Sequence, residues 1–403
     1  MFRQDCNMDI IITPKTLSGE ITAIPSKSQA HRLLICAAFA DGPTVLHCPE
    51  TTRDMDATAG CLRSLGADIT RTSTGYLVRP VQSLPESAVL NCQDSGSTLR
   101  FLLPVAGALG VDTLFQMEGR LPQRPLSPLW EEMERIGCTL SRPSVAAIRC
   151  TGKLRPGTYS IDGGVSSQYI TGLLLALSLL GKPSTLNITG NVESKPYIEM
   201  TKAAITLFGG NPDHPGELGF RSPGTLSVEG DWSNGAFFHA ANALGSHLGI
   251  HGLDPNSSQG DRAVLELLSS LQSCSPRISA ADIPDLVPIL SIVAAHHQGA
   301  TFTDIRRLRM KESDRVASVI AMLENLGGRA EADENTMTVF PSELTGGIVD
   351  SCNDHRIAMS AAIAATVCTD SVTILGAQCV SKSYPSFWEE YRRLGGNYEQ
   401  HIR

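Results

Sequence analysis

The sequence predicts an α/β protein of two similar domains, each assembled from three repeated units with buried helices. Three observations lead there. The chain has 403 residues, and at about 150 residues per domain that favours two or three domains over one. Hydrophobic residues make up 42% and charged residues 18%, which is enough apolar side chain for sizeable cores and too little charge to keep a chain unfolded. The third observation is a repeat, in which small polar residues followed by an apolar helical stretch recur six times.

The repeat starts at Ser26 (SKSQAHRLLICAAFADG), Ser97 (STLRFLLPVAGALG), Ser166 (SSQYITGLLLALSLLG), Ser233 (SNGAFFHAANALG), Asp285 (DLVPILSIVAAHHQG) and Asp354 (DHRIAMSAAIAATV). Counted from Ser28, successive starts lie 69, 69, 67, 52 and 69 residues apart, so six units of comparable length are expected. These helices are apolar nearly all round, which places them inside a domain. A second, amphipathic class ends in glycine at Gly66, Gly137, Gly209, Gly327 and Gly395. Gly there supplies the left-handed residue past a helix end. The fourth copy, LELLSSLQS around Leu271, keeps the apolar spacing and lacks the Gly, in keeping with the short interval. Between the helices lie β-rich stretches such as GYLVRP, ATFTDI, TMTVF and SVTIL, bounded by Gly, Pro, Asp and Ser. Each unit is expected to hold two helices and several strands. Three units per domain put the boundary near Gly230 and Asp231: an N-terminal domain over 24–229, and a C-terminal domain made of 1–23 and 230–403.

The balance of 33 basic against 41 acidic residues, a net charge of −8, argues against a broad nucleic-acid-binding face. With only eight lysines in the chain, those inside motifs (Lys27, Lys311 and Lys382) carry weight. Eleven cysteines from Cys6 to Cys379 form no CxxC pair, which matches neither a disulfide framework nor a zinc site and suits reduced thiols in the cytoplasm. No apolar run reaches the roughly 18 residues of a membrane span, and the start, MFRQDCNMDI, has no signal-peptide core. A soluble, cytoplasmic protein is expected. Neither a metal-ligand cluster nor a GxGxxG fingerprint is present in the sequence, so no metal and no cofactor are expected.

The polar residues at the helix starts point to anion binding, because the first turn of a helix leaves N–H groups free and carries partial positive charge. If the buried helices of both domains aim their N-termini at a common cleft, the cleft attracts phosphates and carboxylates despite the net negative charge. Lys27 and Arg32 flank the hydroxyl-rich start SKSQAHR, a point charge and a bidentate fork suited to two anionic groups. DSGSTLR places Gly96 where an anion can approach the backbone, GRLPQRPLSPL supplies Arg120 and Arg124, and SSQ offers Ser166, Ser167 and Gln168. In the second half, Asp285 precedes an apolar helix, and RMKESDR contains Lys311, Glu312, Asp314 and Arg315. His355 and Arg356 follow in DHR, and Lys382 in VSKSYP. An acid or base working beside anion-clamping cations is a reasonable use of this set.

The ordered series SKSQAHR, DSGSTLR, QRPLSPL, SSQYITGLLLA, SKPYIEMT, GDWSNGAFF, IPD, RMKESDR, DHRIAM and VSKSYP resembles the 5-enolpyruvylshikimate-3-phosphate synthase family over about residues 9 to 395. The resemblance implies two domains of three similar α/β units with helix N-termini facing the cleft. It implies transfer of the enolpyruvyl group of phosphoenolpyruvate to shikimate 3-phosphate, with release of phosphate, the sixth step of the shikimate pathway. By motif position, Lys27, Ser28, Arg32, Ser166, Ser167, Gln168, Ser194, Tyr197, Asp285 and Lys311 would hold shikimate 3-phosphate. Lys27, Gly96, Arg124, Gln168, Arg315, Arg356 and Lys382 would hold phosphoenolpyruvate. Lys27, Asp285 and Glu312 would be catalytic, with Asp285 as base and Glu312 as acid. A monomer without cofactor, inhibited by glyphosate, is implied as well.

The chain departs from the family pattern at four places. Ile24-Pro25 stands where Pro-Gly is common, Asp94 and Arg307 each replace a common Asn, and Phe101 replaces Pro. The related enolpyruvyltransferase acting on a UDP-amino sugar carries a reactive Cys in its arginine loop, and nothing near Arg120 to Arg124 supplies one. An RNA 3′-phosphate cyclase would show a basic face. A non-catalytic binding homologue would have lost Lys27, Asp285, Glu312 or Lys382, and all four are present.

Overall fold

A computed structural model describes residues 7–402, so Cys6 and the first six residues of the N-terminal segment lie outside it. The chain forms two compact units, one of residues 25–229 and one of residues 1–24 with 230–403. Ile24, which the sequence places at the head of the first domain, belongs to the buried core that contains Ile21 and Trp232. Among the described residues, twelve α-helices follow in chain order: α1 (Lys27–Ala38), α2 (Arg53–Ser64), α3 (Gly96–Leu109), α4 (Leu129–Arg135), α5 (Ser167–Ser178), α6 (Lys195–Leu207), α7 (Trp232–Ala243), α8 (Val264–Ser273), α9 (Val287–His296), α10 (Arg315–Asn325), α11 (His355–Ala364) and α12 (Phe387–Arg393).

The repeat read from the helices is present in the strands. In its full form a strand, a buried helix, a second strand, an amphipathic helix and a hairpin share one four-stranded sheet. Ser87–Asn91 and Asp112–Gln116 flank α3 and pair in parallel, and the hairpin Cys138–Ser144 and Ala147–Gly152 after α4 completes the sheet. Arg277–Ser279, Ala300–Thr303, Arg329–Ala332 and Thr336–Phe340 repeat this order around α9 and α10. Two copies borrow a strand from afar. Thr225–Ser227 joins Thr44–His47 and its hairpin, while Met8–Thr13 inserts between Val372–Leu375 and Asn397–Ile402.

The expectation of several strands in every unit is corrected in two copies. Those built on α5 and α7 keep only the parallel pairs Thr158–Asp162 with Thr185–Thr189 and Ser18–Thr22 with His247–His251. After α8 the short interval leaves no length for a hairpin before Arg277. After α6 the chain is spent on closing the first sheet through Thr225–Ser227.

Helices α3, α5, α9 and α11 are buried almost throughout, as their all-round apolar sequences require. In the unit of 25–229, α3 and α5 touch so closely that a Cβ on Gly172 would lie 2.2 Å from the carbonyl oxygen of Arg100. The five glycines after the amphipathic helices all adopt positive φ, and the fourth copy ends instead at an extended Cys274.

The helix starts need one correction. Ser26, Ser166 and Asp354 cap α1, α5 and α11 as expected, but α3 is capped by Ser95 and α7 by Asp231, two residues before the expected positions. Their side-chain oxygens accept from the amides of Thr98 and Asn234, which fixes the first turn there. Helix α9 starts at Val287 after Leu286, one residue beyond Asp285, and Leu286 offers no side-chain cap.

Candidate active site

Two clusters of polar and charged side chains collect at helix N-termini, one in each unit. In the unit of 25–229, Gly96 opens α3 next to two guanidinium groups. A Cβ at Gly96 would fall 2.6 Å from Arg100 Nη1 and 2.7 Å from Arg124 Nη1, so only a residue without a side chain lets both cations approach this helix start. Arg100 donates to Gln168 Oε1 at 3.2 Å, and Gln168 Nε2 donates to Ser97 Oγ at 3.0 Å. The first turns of α3 and α5 are thereby joined at helix N-termini, whose partial positive charge favours an anion.

Lys27, the first residue of α1, pairs with Asp54 of α2 at 2.9 Å. Arg32, one turn further on, is buried and donates to Thr201 Oγ1 (2.8 Å), Thr171 Oγ1 (3.3 Å), the Tyr197 carbonyl (2.9 Å) and the Ser28 carbonyl. Burial pulls its pKa down to about 10. Arg32 therefore ties α1 to α5 and α6, and Ser28 and Tyr197 meet it through their carbonyl groups. Ser167 is buried at the start of α5, and Ser194 leads into α6 in the left-handed region, with φ of 56°. Beneath these starts a buried chain runs from His31 Nδ1 to Thr58, Thr98 and Ser95 in steps of 2.7, 2.7 and 2.8 Å. Burial, then Lys27 and Arg32, hold the His31 imidazole well below its usual range, so it is neutral at pH 7.

In the other unit, Asp285 gathers three cations. Its Oδ1 accepts from Arg315 at 2.8 Å and lies 3.9 Å from Lys311 Nζ, and its Oδ2 accepts from Arg356 at 3.2 Å. Arg315 begins α10 and is itself ringed by carboxylates, with Glu312 Oε2 at 2.7 Å and Asp354 Oδ2 at 3.0 Å. Arg356, in the first turn of α11, also donates to the Ser233 carbonyl and hydroxyl at 3.1 and 2.8 Å. Lys382 ends a short 3-10 helix and donates to the Asn353 carbonyl at 2.9 Å, on the loop that leads into α11.

Burial disfavours the Asp285 carboxylate, but Arg356, Lys311 and Arg315 outweigh it and hold the group well below the usual carboxylate range. Burial pulls Lys311 down to about 8, with Asp285 opposing in part. For Arg315 the burial penalty is overcome by Asp354, Glu312 and Asp285, which raise its affinity for the proton. The cluster can bind anions through three cations and holds two carboxylates, Asp285 and Glu312, on the same guanidinium.

The structure thus brings together Asp285, Lys311, Glu312, Arg315 and Arg356 in one cluster, and Gly96, Arg124 and Gln168 in another. Lys27 and Arg32 stand with α1 in the network of hydroxyls of the unit of 25–229. Arg100 and Asp54 are not singled out by the sequence, and Ser233 and Asp354 only as helix starts. Arg100 was legible in DSGSTLR, because it lies four residues after Gly96 and so on the same helix face. Asp54 and Ser233 carried no such signal, since their partners are distant in the chain.

The EPSP synthase profile, described as 3-phosphoshikimate 1-carboxyvinyltransferase, matches residues 11–280 and 274–391. A 3-phosphoshikimate 1-carboxyvinyltransferase of Clostridium beijerinckii is 36% identical over 425 residues, covering 96% of this chain and 98% of that protein. One of Clostridium perfringens is 37% identical over 416 residues, with 96% and 98% covered. Among solved structures, EPSP synthase from Acinetobacter baumannii superposes with a TM-score of 0.79 at 20% identity, covering 98% of this chain and 100% of that one. The enolpyruvyl transferase NikO from Streptomyces tendae superposes with a TM-score of 0.75 at 17% identity, over 99% and 100% of the two chains. The two structural likenesses speak for the fold, and the profile match with the full-length relatives settles the family: the chain belongs to the EPSP synthase family, the 3-phosphoshikimate 1-carboxyvinyltransferases.

Proposed function

We propose that the protein transfers the enolpyruvyl group of phosphoenolpyruvate to the 5-hydroxyl of shikimate 3-phosphate and releases inorganic phosphate. The observation that supports it most is the Asp285 cluster, in which one carboxylate contacts three cations while a second, Glu312, sits on one of them. The chemistry asks for that combination. The substrate hydroxyl oxygen bonds to C2 of phosphoenolpyruvate and loses its proton, while C3 gains one. Then the C2–O bond to phosphate breaks, C3 returns its proton and the double bond re-forms. Asp285 takes the hydroxyl proton, which passes to the departing phosphate, and Glu312 gives and recovers the proton at C3.

Asp285 is a weak base while three cations surround it. When the anionic groups of the substrates take the place of Asp285 on Arg315, Arg356 and Lys311, that stabilisation is withdrawn and the carboxylate gains basicity. Arg315, Arg356 and Lys382, with Lys27, Gly96, Arg124 and Gln168, hold phosphoenolpyruvate and stabilise the departing phosphate. Ser28, Arg32, Ser166, Ser167, Gln168, Ser194, Tyr197 and Lys311, with Lys27, hold shikimate 3-phosphate, and Lys27 assists proton transfer. Arg32 must then share its guanidinium between its present partners and the substrate carboxylate. Glyphosate, a small zwitterion with a phosphonate and a carboxylate, competes for the phosphoenolpyruvate site.

A monomer working in the cytoplasm fits this reading. The ten cysteines among the described residues are unbridged, and no helix among those residues is long and apolar enough to cross a membrane. Phosphate release and product mass decide the reaction. Phosphate should appear only when phosphoenolpyruvate and shikimate 3-phosphate are both present. Release without shikimate 3-phosphate, or none with both, refutes the assignment.

A further inference from the structure

Arg315 carries three carboxylates, and they are not equivalent. Asp285 and Glu312 have 21% and 23% of their side chains exposed, whereas Asp354 has 0%. An anion arriving from solvent can displace the first two and cannot reach the third. Asp354 Oδ2 accepts from Arg315 Nε at 3.0 Å and from Ser313 Oγ at 3.1 Å, leaving the Nη1 and Nη2 edge of the guanidinium turned towards Asp285 and Glu312. Asp354 Oδ1 lies 3.4 Å from Arg315 Nη2 and accepts from the backbone N–H of Arg356 at 2.9 Å, which caps α11. One buried carboxylate therefore fixes the guanidinium plane of Arg315 and the helix turn from which Arg356 projects.

We propose that Asp354 is a positioning residue for phosphoenolpyruvate, holding Arg315 and Arg356 in register so that their outward edges meet one planar carboxylate. It does not touch substrate in this role; it acts through the two arginines. A bidentate fork binds well only when its plane is set beforehand, so loosening the anchor weakens ground-state binding of the anion more than it slows proton transfer. The inference rests on the enolpyruvyl-transfer reading above.

The test is Asp354→Asn. The isosteric amide keeps an oxygen for the Arg356 N–H and replaces the Oδ2 acceptor with an NH2 that cannot accept from Arg315 Nε. KM for phosphoenolpyruvate is expected to rise about tenfold or more, with kcat lowered less than about threefold and KM for shikimate 3-phosphate within about twofold of the unsubstituted protein. A merely structural Asp354 would instead lower Tm and the active fraction, and so kcat, with KM unmoved. Ser313→Ala removes only the hydroxyl that shares Oδ2 and should move the same KM in the same direction by less. If Asp354→Asn does not fold, Ser313→Ala decides, and an unchanged KM there overturns the proposal. Calorimetric binding of phosphoenolpyruvate separates this inference from the reaction itself. Were the unsubstituted protein to turn over nothing, the enolpyruvyl-transfer reading would fall, while weaker binding to Asp354→Asn would still support the positioning role and equal or absent binding would overturn it.

Discussion

Replacing Gly96 by Ala would put a methyl group 2.6 Å from Arg100 Nη1, 2.7 Å from Arg124 Nη1 and 3.1 Å from Arg124 Cζ. Ordinary contact needs about 3.5 Å, so both guanidinium tips must retreat by roughly 0.8 Å. They are the ends of long side chains and can do so, which keeps the cost near the low end of overpacking, about 1 kcal/mol. Folding stability should fall by no more than about that 1 kcal/mol, but both cations leave the place where they flank the start of α3. For phosphoenolpyruvate that predicts a KM about fivefold higher. Glyphosate is longer and needs the space the methyl takes, so its inhibition constant should rise by about fiftyfold or more. The assay is steady-state inhibition against varied phosphoenolpyruvate in both proteins, with Tm as the folding control. An equal or tighter glyphosate constant in Gly96→Ala would show that Gly96 does not border the phosphoenolpyruvate site.

Glu312→Gln keeps the size and the acceptor facing Arg315 Nη2 but removes the transferable proton, so kcat should fall about a hundredfold or more while shikimate 3-phosphate binding holds; near-normal kcat would pass the proton role to Lys27. Lys311 loses its proton near pH 8 in the folded protein against an ordinary value of 10.5, so between these values the unfolded chain binds more protons and stability rises with pH. Over the same range KM for shikimate 3-phosphate should climb as the ammonium discharges, and Lys311→Arg should flatten the climb; the same climb in that variant would exclude Lys311 as its source. Gly172→Ala forces a methyl to 2.2 Å from a backbone oxygen that cannot swing away, and should cost about 3 kcal/mol in urea unfolding. A loss below about 1 kcal/mol would mean that α3 and α5 can separate there without penalty.

Much of the fold was legible in the chain itself. The six apolar helix starts, the five glycine stops and the degraded fourth copy near Leu271 are all local signals, because helix burial and helix termination depend on residues within a few turns. Strand pairing was less legible. Nothing near Met8–Thr13 or Thr225–Ser227 announces that these strands close sheets whose other members lie hundreds of residues away, because a strand's partner is chosen by long-range packing. The caps of α3 and α7 were misplaced by two residues for a smaller reason. In DSGS and GDWS more than one side chain can accept from the first-turn amides, and only the backbone geometry selects Ser95 and Asp231.

At the candidate site the division is the same. The sequence by itself determined which cations and carboxylates are available, since motifs such as RMKESDR and DSGSTLR place Lys311, Glu312 and Arg315, or Gly96 and Arg100, within a turn or two of one another. The tertiary structure decided how they are used. It set Asp285 among Arg315, Arg356 and Lys311, spent Arg32 on the threonines of α5 and α6, and buried Asp354 beneath Arg315 while leaving Glu312 partly exposed. A charged side chain's role follows from its partners and its access to water, and both are set by residues far away in the chain that packing alone brings near.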